Sequence, residues 1–434
     1  MTSNDVSKYK VFKFVSWNFD STSHELIFRY AFDDSLFFSE TVTFPGASID
    51  LEKNSVLREA CILSFILSGI SYYKLFPGAS IDLGDIELHE FQARFFNITY
   101  LHGLSQFLFE NKLSTDVIPT FPSKNSAEKL VEKSDGDGVL LLQSGGKDSL
   151  LLASILQDKD ITFTPWYVST ADTHPEVIDN FSTSARIVRR KIDHENLRIG
   201  QQEGGRNGHV PVTYIVMSYA FIDAILLGKR SVLTSIGWEG DEPHEFIGQL
   251  AVNHQWSKTW EAEQLFVEYV QSAVSKDMQI GSPLRSYSEL LIAEQFVEKA
   301  WRYARSFSSC NRANYMQGHD NKKLTWCGEC PKCANSYLLF APFVDPQELQ
   351  EIFGGNLLVK PELGEVYKGL LGIDGVMKPF ECVGETKELR LAYHLAKKRW
   401  GAIYSIGFEV PESDFDYKKT YPCQDWAKKY SNRF

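Results

Sequence analysis

Hydrophobic and polar positions alternate along the first quarter of the chain. The segments 10–15 and 40–44 place aromatic or branched residues at every second position, a pattern that predicts short antiparallel strands. An apolar segment near residues 56–70 instead predicts a helix. Together these elements predict an N-terminal α+β domain over residues 1–122.

A different pattern begins after a polar stretch around residues 122–138. Short apolar runs predict buried strands at 139–142, 161–168 and 231–236. Helical candidates alternate with them at 149–156, 177–191 and 212–227. Strands that alternate with helices are typical of a parallel sheet covered by helices on both faces. We therefore predict an α/β domain over residues 136–345.

The last part of the chain, residues 346–434, has fewer clear periods. Its main regular feature is a helical pattern over residues 386–400. We predict a small C-terminal extension here, which packs on the α/β domain and contributes to the substrate site.

Composition and charge narrow the class of protein. The chain has 434 residues, with 45 Lys and Arg against 56 Asp and Glu, and a net charge of −11. This acidic balance argues against a broad electrostatic interface for nucleic acid. No apolar run is long enough to span a bilayer, and the first residues lack the basic and apolar pattern of a secretory signal. We expect a cytoplasmic protein without a membrane partner.

The segment between the first predicted strand and helix of the α/β domain carries the strongest chemical signal. Residues 143–149 read Gln-Ser-Gly-Gly-Lys-Asp-Ser. Adjacent glycines let the backbone approach a ligand, and the free N–H groups of the following helix favour an anion such as phosphate. An ordinary serine–glycine turn is the alternative. The predicted phosphate-binding residues are Ser144, Gly145, Gly146, Lys147, Asp148 and Ser149.

The sequence motif of this loop, SGGxDS, resembles the PP-loop of ATP pyrophosphatases. That resemblance implies that ATP binds here and is cleaved between its α- and β-phosphates to adenylate a substrate. Asp148 is unexpected beside an anion. It either caps the helix N-terminus or helps to hold a Mg²⁺ ion that bridges the phosphates.

Further polar groups follow the later strands, where ligands of open α/β sheets bind. One loop carries Arg206 and Asn207 together with His209 and is predicted to contact a ligand. The alternative is a surface loop without such a role. An acidic turn after residues 231–236 is predicted to bind a cation or a polar substrate, unless it is simply solvated. The segment 253–260 is also rich in hydrogen-bonding groups. The candidates from these last two segments are Glu239, Asp241, Glu242, His244, His254, Ser257 and Lys258.

Four of the seven cysteines form a group: Cys310, Cys327, Cys330 and Cys333. A C-x₂-C-x₂-C run with a fourth cysteine upstream supplies the four thiolates of a tetrahedral structural Zn²⁺ site. An iron–sulfur cluster also uses four thiolates and is the less favoured alternative, and four buried free thiols are another. Such clustering suits metal-bound or reduced thiols better than a disulfide framework.

Cys382 differs from the other single cysteines. It lies between acids and close to a glycine, in the segment 378–385, which has no obvious packing period. Cys61 and Cys423 are predicted to be inert residues of the core. Cys382 is therefore a candidate for reactive-thiol chemistry.

Taken together, the chain resembles the UDP-N-acetylmuramoyl-L-alanyl-L-glutamate epimerase (MurL) family, and the match extends over most of its length. The segments that carry the resemblance are 144–149, 207–211, 237–242, 282–285, 326–333 and 378–385. The resemblance implies ATP-dependent inversion of the terminal L-glutamate of the UDP-muramoyl dipeptide, with release of AMP and diphosphate. This reaction supplies D-glutamate for peptidoglycan.

The chemistry that the resemblance implies suits these residues. Adenylation removes the charge of the substrate carboxylate, so the neighbouring α-proton becomes more acidic. One group then takes that proton and another returns one to the opposite face. Cys382 is predicted to be one of these groups, with His209, His244 and His254 as rivals for the other role. The predicted substrate-binding residues are Arg206, Asn207, Glu239, Asp241, Glu242, Ser257, Lys258 and Arg285.

Other functions stay open at this point. A 7-cyano-7-deazaguanine synthase shares the SGGxDS loop and a cysteine-bound zinc, but is normally a much shorter chain. The acidic charge disfavours a tRNA-thiolating or lysidine-forming enzyme. From a different class, the chain could be a nucleotide-binding, zinc-stabilised module without turnover.

Overall fold

The computed structural model describes residues 8–47, 54–124, 131–133, 136–171, 173–316 and 322–433. The strands are β1 (Val11–Asp20), β2 (Glu25–Phe32), β3 (Leu36–Thr43), β4 (Ser80–Asp82), β5 (Val139–Leu142), β6 (Thr164–Ser169), β7 (Arg186–Lys191), β8 (Ser231–Leu233), β9 (Glu245–Ile247), β10 (Leu250–Val252) and β11 (Gln279–Gly281). Nine of them form one sheet in the order β11-β8-β5-β6-β7-β3-β2-β1-β4, and β9 pairs with β10.

The helices connect these strands and cover the sheet. They are α1 (Ser55–Tyr73), α2 (Glu90–Gly103), α3 (Ser105–Glu110), α4 (Lys147–Asp158), α5 (His194–Gln202), α6 (Val212–Leu226), α7 (Trp260–Tyr269), α8 (Glu289–Lys299), α9 (Pro331–Phe340), α10 (Pro346–Phe353), α11 (Gly364–Leu371) and α12 (Thr386–Trp400). Short 3₁₀ and π-helical turns join several of them.

The five strands β11, β8, β5, β6 and β7 are parallel, which confirms the predicted α/β class. Their side chains alternate between two hydrophobic cores, as the pleat of a strand requires. Leu140 of β5 lies in the core that contains α1 and α6, whereas Leu141 lies in the core that contains α4 and α8. Both faces of the parallel part are therefore buried, and the carboxyl ends of its strands remain to build a site.

The N-terminal strands extend the same sheet. β3 pairs antiparallel with β7, so that Val42 lies opposite Arg190. The buried Arg190 forms an ion pair of 2.8 Å with Glu40, whose carboxylate also accepts a hydrogen bond from Tyr72. A buried charge pair is tolerated only when its remaining hydrogen-bonding groups are satisfied in this way. The division into domains of 1–122, 136–345 and 346–434 stays a prediction.

The sequence pattern was wrong at residues 177–191, where it predicts a helix. The structure has a 3₁₀ turn at Glu176–Asn180 and then strand β7. The ion pair with Glu40 buries an arginine at a position where a strand normally carries an apolar residue. Because the buried residue is charged, the hydrophobic pattern of the sequence does not show the alternation of buried and exposed positions in this strand. The strand predicted at 231–236 is also shorter, since β8 ends at Leu233.

The long apolar helix α1 belongs to the interior. Asn54 caps it by accepting a hydrogen bond of 2.9 Å from the Leu57 N–H group. The prediction that no apolar run is long enough to span a bilayer was wrong for this helix, which by length and composition could cross a membrane, but 83% of its most apolar window is buried inside the protein. It packs against α6, as a core helix does.

Candidate active site

The glycine loop, residues 143–149, follows β5 directly and leads into α4. Gly145 has a φ of +73°, and a Cβ atom there would collide with the Leu324 side chain. Only glycine suits both conditions. Ser144 Oγ accepts a hydrogen bond of 3.3 Å from the Gly146 N–H group and lies 3.4 Å from Ser149 Oγ. The loop therefore presents hydroxyl and N–H groups at the positive end of α4, which is suited to an anion.

This loop opens into a cavity that several distant segments share. Three other predicted site segments reach it, namely the acidic turn after β8, the segment 253–260 and the Cys382 segment, and so does α9, which contains Cys333. The lining residues are Ser144, Gly146, Lys147, Asp148, Glu239, Lys258, Glu289, Ser308, Ser309, Asn311, Tyr315, Lys332, Asn335, Ser336 and Cys382. Groups suited to phosphate binding and a candidate proton-transfer thiol thus share one cavity.

Charged groups are concentrated where the loop meets α8. Lys147 Nζ donates a hydrogen bond of 2.7 Å to Asp148 and lies 3.5 Å from Glu289. Burial and the adjacent Glu239 carboxylate raise the pKa of Glu289 well above its usual value, against the effect of Lys147. Burial opposes ionisation of Glu239 as well, but Lys258 and the hydrogen bond with Glu289 lower its pKa to about 2. Glu289 is thus the protonated member of the pair and Glu239 the charged one.

The half-buried thiol of Cys382 lies among positive charges. Burial opposes its ionisation, but Lys258, Lys332 and a hydrogen bond with His254 outweigh burial and lower the pKa to about 5. The contact with Cys382 also changes the pKa of Lys258. Burial disfavours its ammonium form, but Cys382 and Glu239 stabilise this form and raise the pKa. At neutral pH the pair is a thiolate beside an ammonium group. A thiolate is the form of cysteine that accepts a proton or attacks an electrophile.

Glu242 holds the Cys382 segment in place. Its Oε2 atom accepts hydrogen bonds from Lys378 Nζ at 2.7 Å and from the Thr386 N–H group at 2.8 Å. The residue is predicted to bind substrate. The structure places it between the acidic turn after β8 and the start of α12, where it acts as an anchor.

Two more hydrogen bonds fix the residues immediately after Cys382. Gln255 Nε2 donates to the Val383 carbonyl at 2.9 Å, and the Gly384 N–H group donates to Asn335 Oδ1 at 2.9 Å. The first joins the Cys382 segment to the turn that carries Lys258, and the second joins it to α9. The thiol position is therefore determined by three separate elements of the fold.

The three candidate histidines lie together, and of these three described residues His254 is the one that lies against Cys382 and lowers the pKa of its thiol. The ring centroids of His209 and His254 are 4.3 Å apart, and those of His244 and His254 are 6.4 Å apart. Burial, followed by the neighbouring positive groups, lowers the pKa of both His209 and His244 to about 3. Both are neutral at physiological pH. The contact of His254 with the thiol favours that histidine for proton transfer with Cys382.

Several predicted substrate-binding residues do not line the cavity. Arg206 and Asn207 lie near the end of α1, where the Arg206 N–H group donates to the Leu75 carbonyl and Asn207 accepts from Lys74 at 2.9 Å. Asp241 is exposed on the acidic turn. Their contacts with a substrate stay predictions.

Arg285 lies beneath the site. It is 1% exposed, pairs with Glu263 at 2.9 Å, and donates to the carbonyl groups of Gly237 and Lys258 at 2.8 and 2.7 Å. These contacts support the turn at Trp256–Lys258, in which Ser257 is also buried. Arg285 thus orients the backbone of a cavity residue.

The four clustered cysteines converge as predicted. Their sulfur atoms all lie within 4.8 Å of one another, with separations of 3.6 Å for Cys310–Cys330, 3.5 Å for Cys330–Cys333 and 3.7 Å for Cys327–Cys333. Four thiolates around one zinc ion at about 2.3 Å stand roughly 3.8 Å apart. The donor set therefore fits a single tetrahedral ion. Thiolates on an iron–sulfur cluster bind separate iron atoms and stand further apart.

Sequence reasoning missed Glu289, Lys332 and Asn335 as residues of the cavity. Lys332 and Asn335 follow from the cysteine motif, because Cys330 caps α9 and Pro331 begins it. Residues at positions 332 and 335 then lie one turn apart on the same face of that helix. Glu289 is the first residue of α8, and no motif marks it.

Comparison with known proteins gives the family. The family models described as MurL N-terminal domain and MurL C-terminal domain match residues 3–282 and 306–406. A protein of Xanthomonas oryzae pv. oryzae named UDP-N-acetyl-alpha-D-muramoyl-L-alanyl-L-glutamate epimerase is 32% identical over 402 residues, 92% of this chain and 88% of that protein. Proteins of the same name from Salinispora tropica and a Micromonospora species are each 30% identical, over 92% and 91% of this chain and 88% of their own lengths.

These matches extend over both the glycine loop and the Cys382 segment. An epimerase is an isomerase, so the chain is an enzyme of the isomerase class. It belongs to the MurL family, as its motifs predict.

Proposed function

We propose that this enzyme epimerises the terminal L-glutamate of UDP-N-acetylmuramoyl-L-alanyl-L-glutamate to D-glutamate, with conversion of ATP to AMP and diphosphate. The observation that supports it most is the single cavity shared by the glycine loop and Cys382. An epimerase that uses ATP needs both groups within reach of one glutamate residue of the substrate. The loop has to serve its α-carboxylate, and the thiol has to serve the adjacent Cα. The names of the relatives agree with the substrate.

The glycine loop serves the first step as a PP-loop. An oxygen of the α-carboxylate of the substrate glutamate attacks the α-phosphorus of ATP. The bond from that phosphorus to the bridging oxygen breaks, and diphosphate leaves with the electron pair. Ser144, Lys147 and the N–H groups of the loop hold the phosphates.

Magnesium fits the acidic side of the cavity. Asp148 and the charged Glu239 both line it, and the neighbouring Glu289 Oε2 has no hydrogen-bond partner in the described part of the chain, so that Mg²⁺ can take the place of the Glu289 proton. Carboxylate oxygens are the protein ligands that Mg²⁺ prefers, usually one or two of them together with phosphate oxygens. Bound there, Mg²⁺ neutralises charge on the phosphates.

Cys382 acts in the second step. The acyl-adenylate has no carboxylate charge, so its Cα–H bond is more acidic than that of free glutamate. The Cys382 thiolate removes this proton, and a second group returns a proton to the opposite face of the carbon. His254 and Lys258 both neighbour the thiol and can donate a proton. Water then hydrolyses the acyl-adenylate to the D-glutamate carboxylate and AMP.

The four cysteines serve a structural role in this proposal. One Zn²⁺ ion bound by Cys310, Cys327, Cys330 and Cys333 fixes the start of α9, from which Lys332 and Asn335 reach the cavity. The cytoplasmic location and the absence of nucleic-acid and membrane partners stay predictions.

The direct test is turnover of the dipeptide substrate. Purified protein with Mg²⁺, ATP and UDP-N-acetylmuramoyl-L-alanyl-L-glutamate should release AMP and diphosphate and give D-glutamate on acid hydrolysis and chiral analysis. Free L-glutamate and the UDP-muramoyl-L-alanine lacking glutamate are the control substrates, and neither should support AMP release. AMP formation without any D-glutamate would overturn the proposal and point to a ligase.

A further inference from the structure

A hydrogen-bonded chain reaches the active-site histidine from the N-terminal region. Glu110, at the end of α3, accepts a hydrogen bond of 2.9 Å from Gln106 Nε2. Gln106 Oε1 in turn lies 2.7 Å from His254 Nδ1. Gln106 is buried, whereas Glu110 is at the surface. Neither residue carries a motif, and neither lines the cavity.

The donors and acceptors of these hydrogen bonds can be assigned in only one way. A carboxylate only accepts hydrogen bonds, so the amide NH₂ group of Gln106 must face Glu110. The amide oxygen then faces His254, and it can only accept a hydrogen bond from Nδ1–H. The proton of a neutral His254 ring therefore lies on Nδ1, and Nε2 is left with the lone pair.

The backbone around His254 keeps the ring near the thiol. The N–H group of Asn253 donates to Ser105 Oγ at 3.2 Å, which ties this segment to the start of α3. On the other side of His254, Gln255 is hydrogen-bonded to Val383, the residue after Cys382. The ring thus lies between α3 and the Cys382 segment, with one nitrogen on Gln106 and the other free for the thiol.

We propose that Gln106, oriented by Glu110, is a positioning residue for proton transfer at Cys382, because it holds His254 with Nε2 available to the thiol. Nε2 accepts the proton of the Cys382 thiol, and this leaves the thiolate that takes the Cα proton. A cysteine, a histidine and a side-chain amide cooperate in this way in papain-like proteases. The role in turnover rests on the proposed function, whereas the effect on the thiol does not.

The first test measures the thiol without any substrate. Alkylation of Cys382 by iodoacetamide is followed by mass spectrometry from pH 4 to pH 9, with Cys423 as the internal reference. In the wild type the rate should rise with a midpoint of about 5. Gln106→Leu removes the acceptor for Nδ1, and its midpoint should be higher by about one pH unit.

Two further variants separate positioning from packing. The double variant Gln106→Glu with Glu110→Gln exchanges donor and acceptor along the chain, and it should restore the wild-type midpoint. Gln92→Leu is the matched control, because Gln92 is another buried glutamine, hydrogen-bonded to Tyr269 at 3.1 Å in α2. It should leave the midpoint unchanged. An unchanged midpoint in Gln106→Leu, or an equal shift in Gln92→Leu, would overturn the proposal.

The second test uses the reaction. Gln106→Leu should reduce kcat for epimerisation by roughly 10²-fold while KM and the rate of AMP formation stay within about twofold. Equal losses of AMP formation and epimerisation would assign Gln106 to folding and contradict the positioning role. If the thiol midpoint shifts as expected but the wild type yields no D-glutamate, the proposed function fails and the positioning role stands.

Discussion

Lys378 donates a hydrogen bond of 2.7 Å to Glu242, and this pair joins the segment of Cys382 to the acidic turn after β8. The ammonium group of Lys378 is buried, while Glu242 is partly exposed. Because the same carboxylate oxygen also receives the Thr386 N–H group, one acidic residue orders the chain on both sides of Cys382.

Separating this pair should therefore impair the thiol chemistry more than folding. Lys378→Met should lower kcat for epimerisation about tenfold, because the thiol is no longer held against Lys258. A double-mutant cycle with Glu242→Gln should give a coupling free energy of about 1 kcal/mol in urea unfolding. Lys368 and Glu365, a pair at 3.0 Å in which Glu365 is largely exposed, provide the control cycle, and their coupling should be weaker. Full activity of Lys378→Met would refute the anchoring role.

Removal of the thiol should separate the two half-reactions. Cys382→Ser should lose epimerisation by at least about 10²-fold and retain AMP formation, because a serine hydroxyl is not ionised near neutral pH. Cys423→Ser is the matched control, since burial raises the pKa of that thiol and it does not line the cavity. Chiral analysis and AMP release measured on the same samples give both rates. Normal epimerisation by Cys382→Ser would remove this residue from the proton-transfer pair.

The pH dependence of proton exchange should follow the ionisation of Cys382. The thiolate is the active form, so the rate is lost as the pH falls through about 5 and is nearly constant between pH 6 and pH 8. Deuterium uptake from D₂O at the glutamate α-carbon measures this step. AMP formation depends on different groups and should lack this acidic limb. A midpoint near 9, the usual value for a cysteine, would contradict the effect of Lys258 and Lys332.

Changes in the glycine loop should act on AMP formation first. Ser144→Ala and Asp148→Asn should each reduce it by roughly 10²-fold, because they remove a hydroxyl beside the phosphates and a carboxylate suited to Mg²⁺. Ser154→Ala in the same helix is the control, since its hydroxyl contacts the Leu150 carbonyl and lies away from the cavity. Full AMP formation in either loop variant would refute the assignment of the loop to ATP.

The cysteine cluster should contain one zinc ion per chain. Elemental analysis of the purified protein should give one equivalent of zinc and no iron. Removal of the zinc by a strong chelator should lower the melting temperature and epimerisation together, because Lys332 and Asn335 lose their fixed positions. Cys333→Ser should have the same effect, whereas Cys61→Ser should retain the metal. Iron with inorganic sulfide in the preparation would favour the cluster instead.

Local sequence patterns were sufficient for much of the fold. The glycine turn after residues 139–142, the apolar period of α6 and the helix at Thr386–Trp400 all depend on residues close together in sequence. The pairing of β3 with β7 could not be predicted in the same way. It depends on an ion pair between Glu40 and Arg190, two residues 150 positions apart, and no local period encodes such a contact.

The candidate site also combines short local motifs with contacts between residues that are far apart in sequence. The glycine loop and the cysteine motif each occur within short segments, so their residue types and spacing point to phosphate and to a metal. The neighbours of Cys382 come from remote parts of the chain: Lys258 from the turn before α7, Lys332 from α9 and His254 from a loop. Sequence alone marked this thiol only by its unusual surroundings. The three-dimensional contacts give the reason why it ionises.

One helix connects the cysteine cluster to the cavity of the candidate site. In α9, Cys333 faces the sulfur cluster, while Lys332 and Asn335 face the cavity, and Asn335 also holds the residue two positions after Cys382. Oxidation of the sulfurs, or their capture by a softer metal, would disturb the start of α9 and the contacts that hold Cys382. On the proposed function, supply of D-glutamate would then depend on zinc and on the redox state of the cell as well as on ATP and the dipeptide precursor.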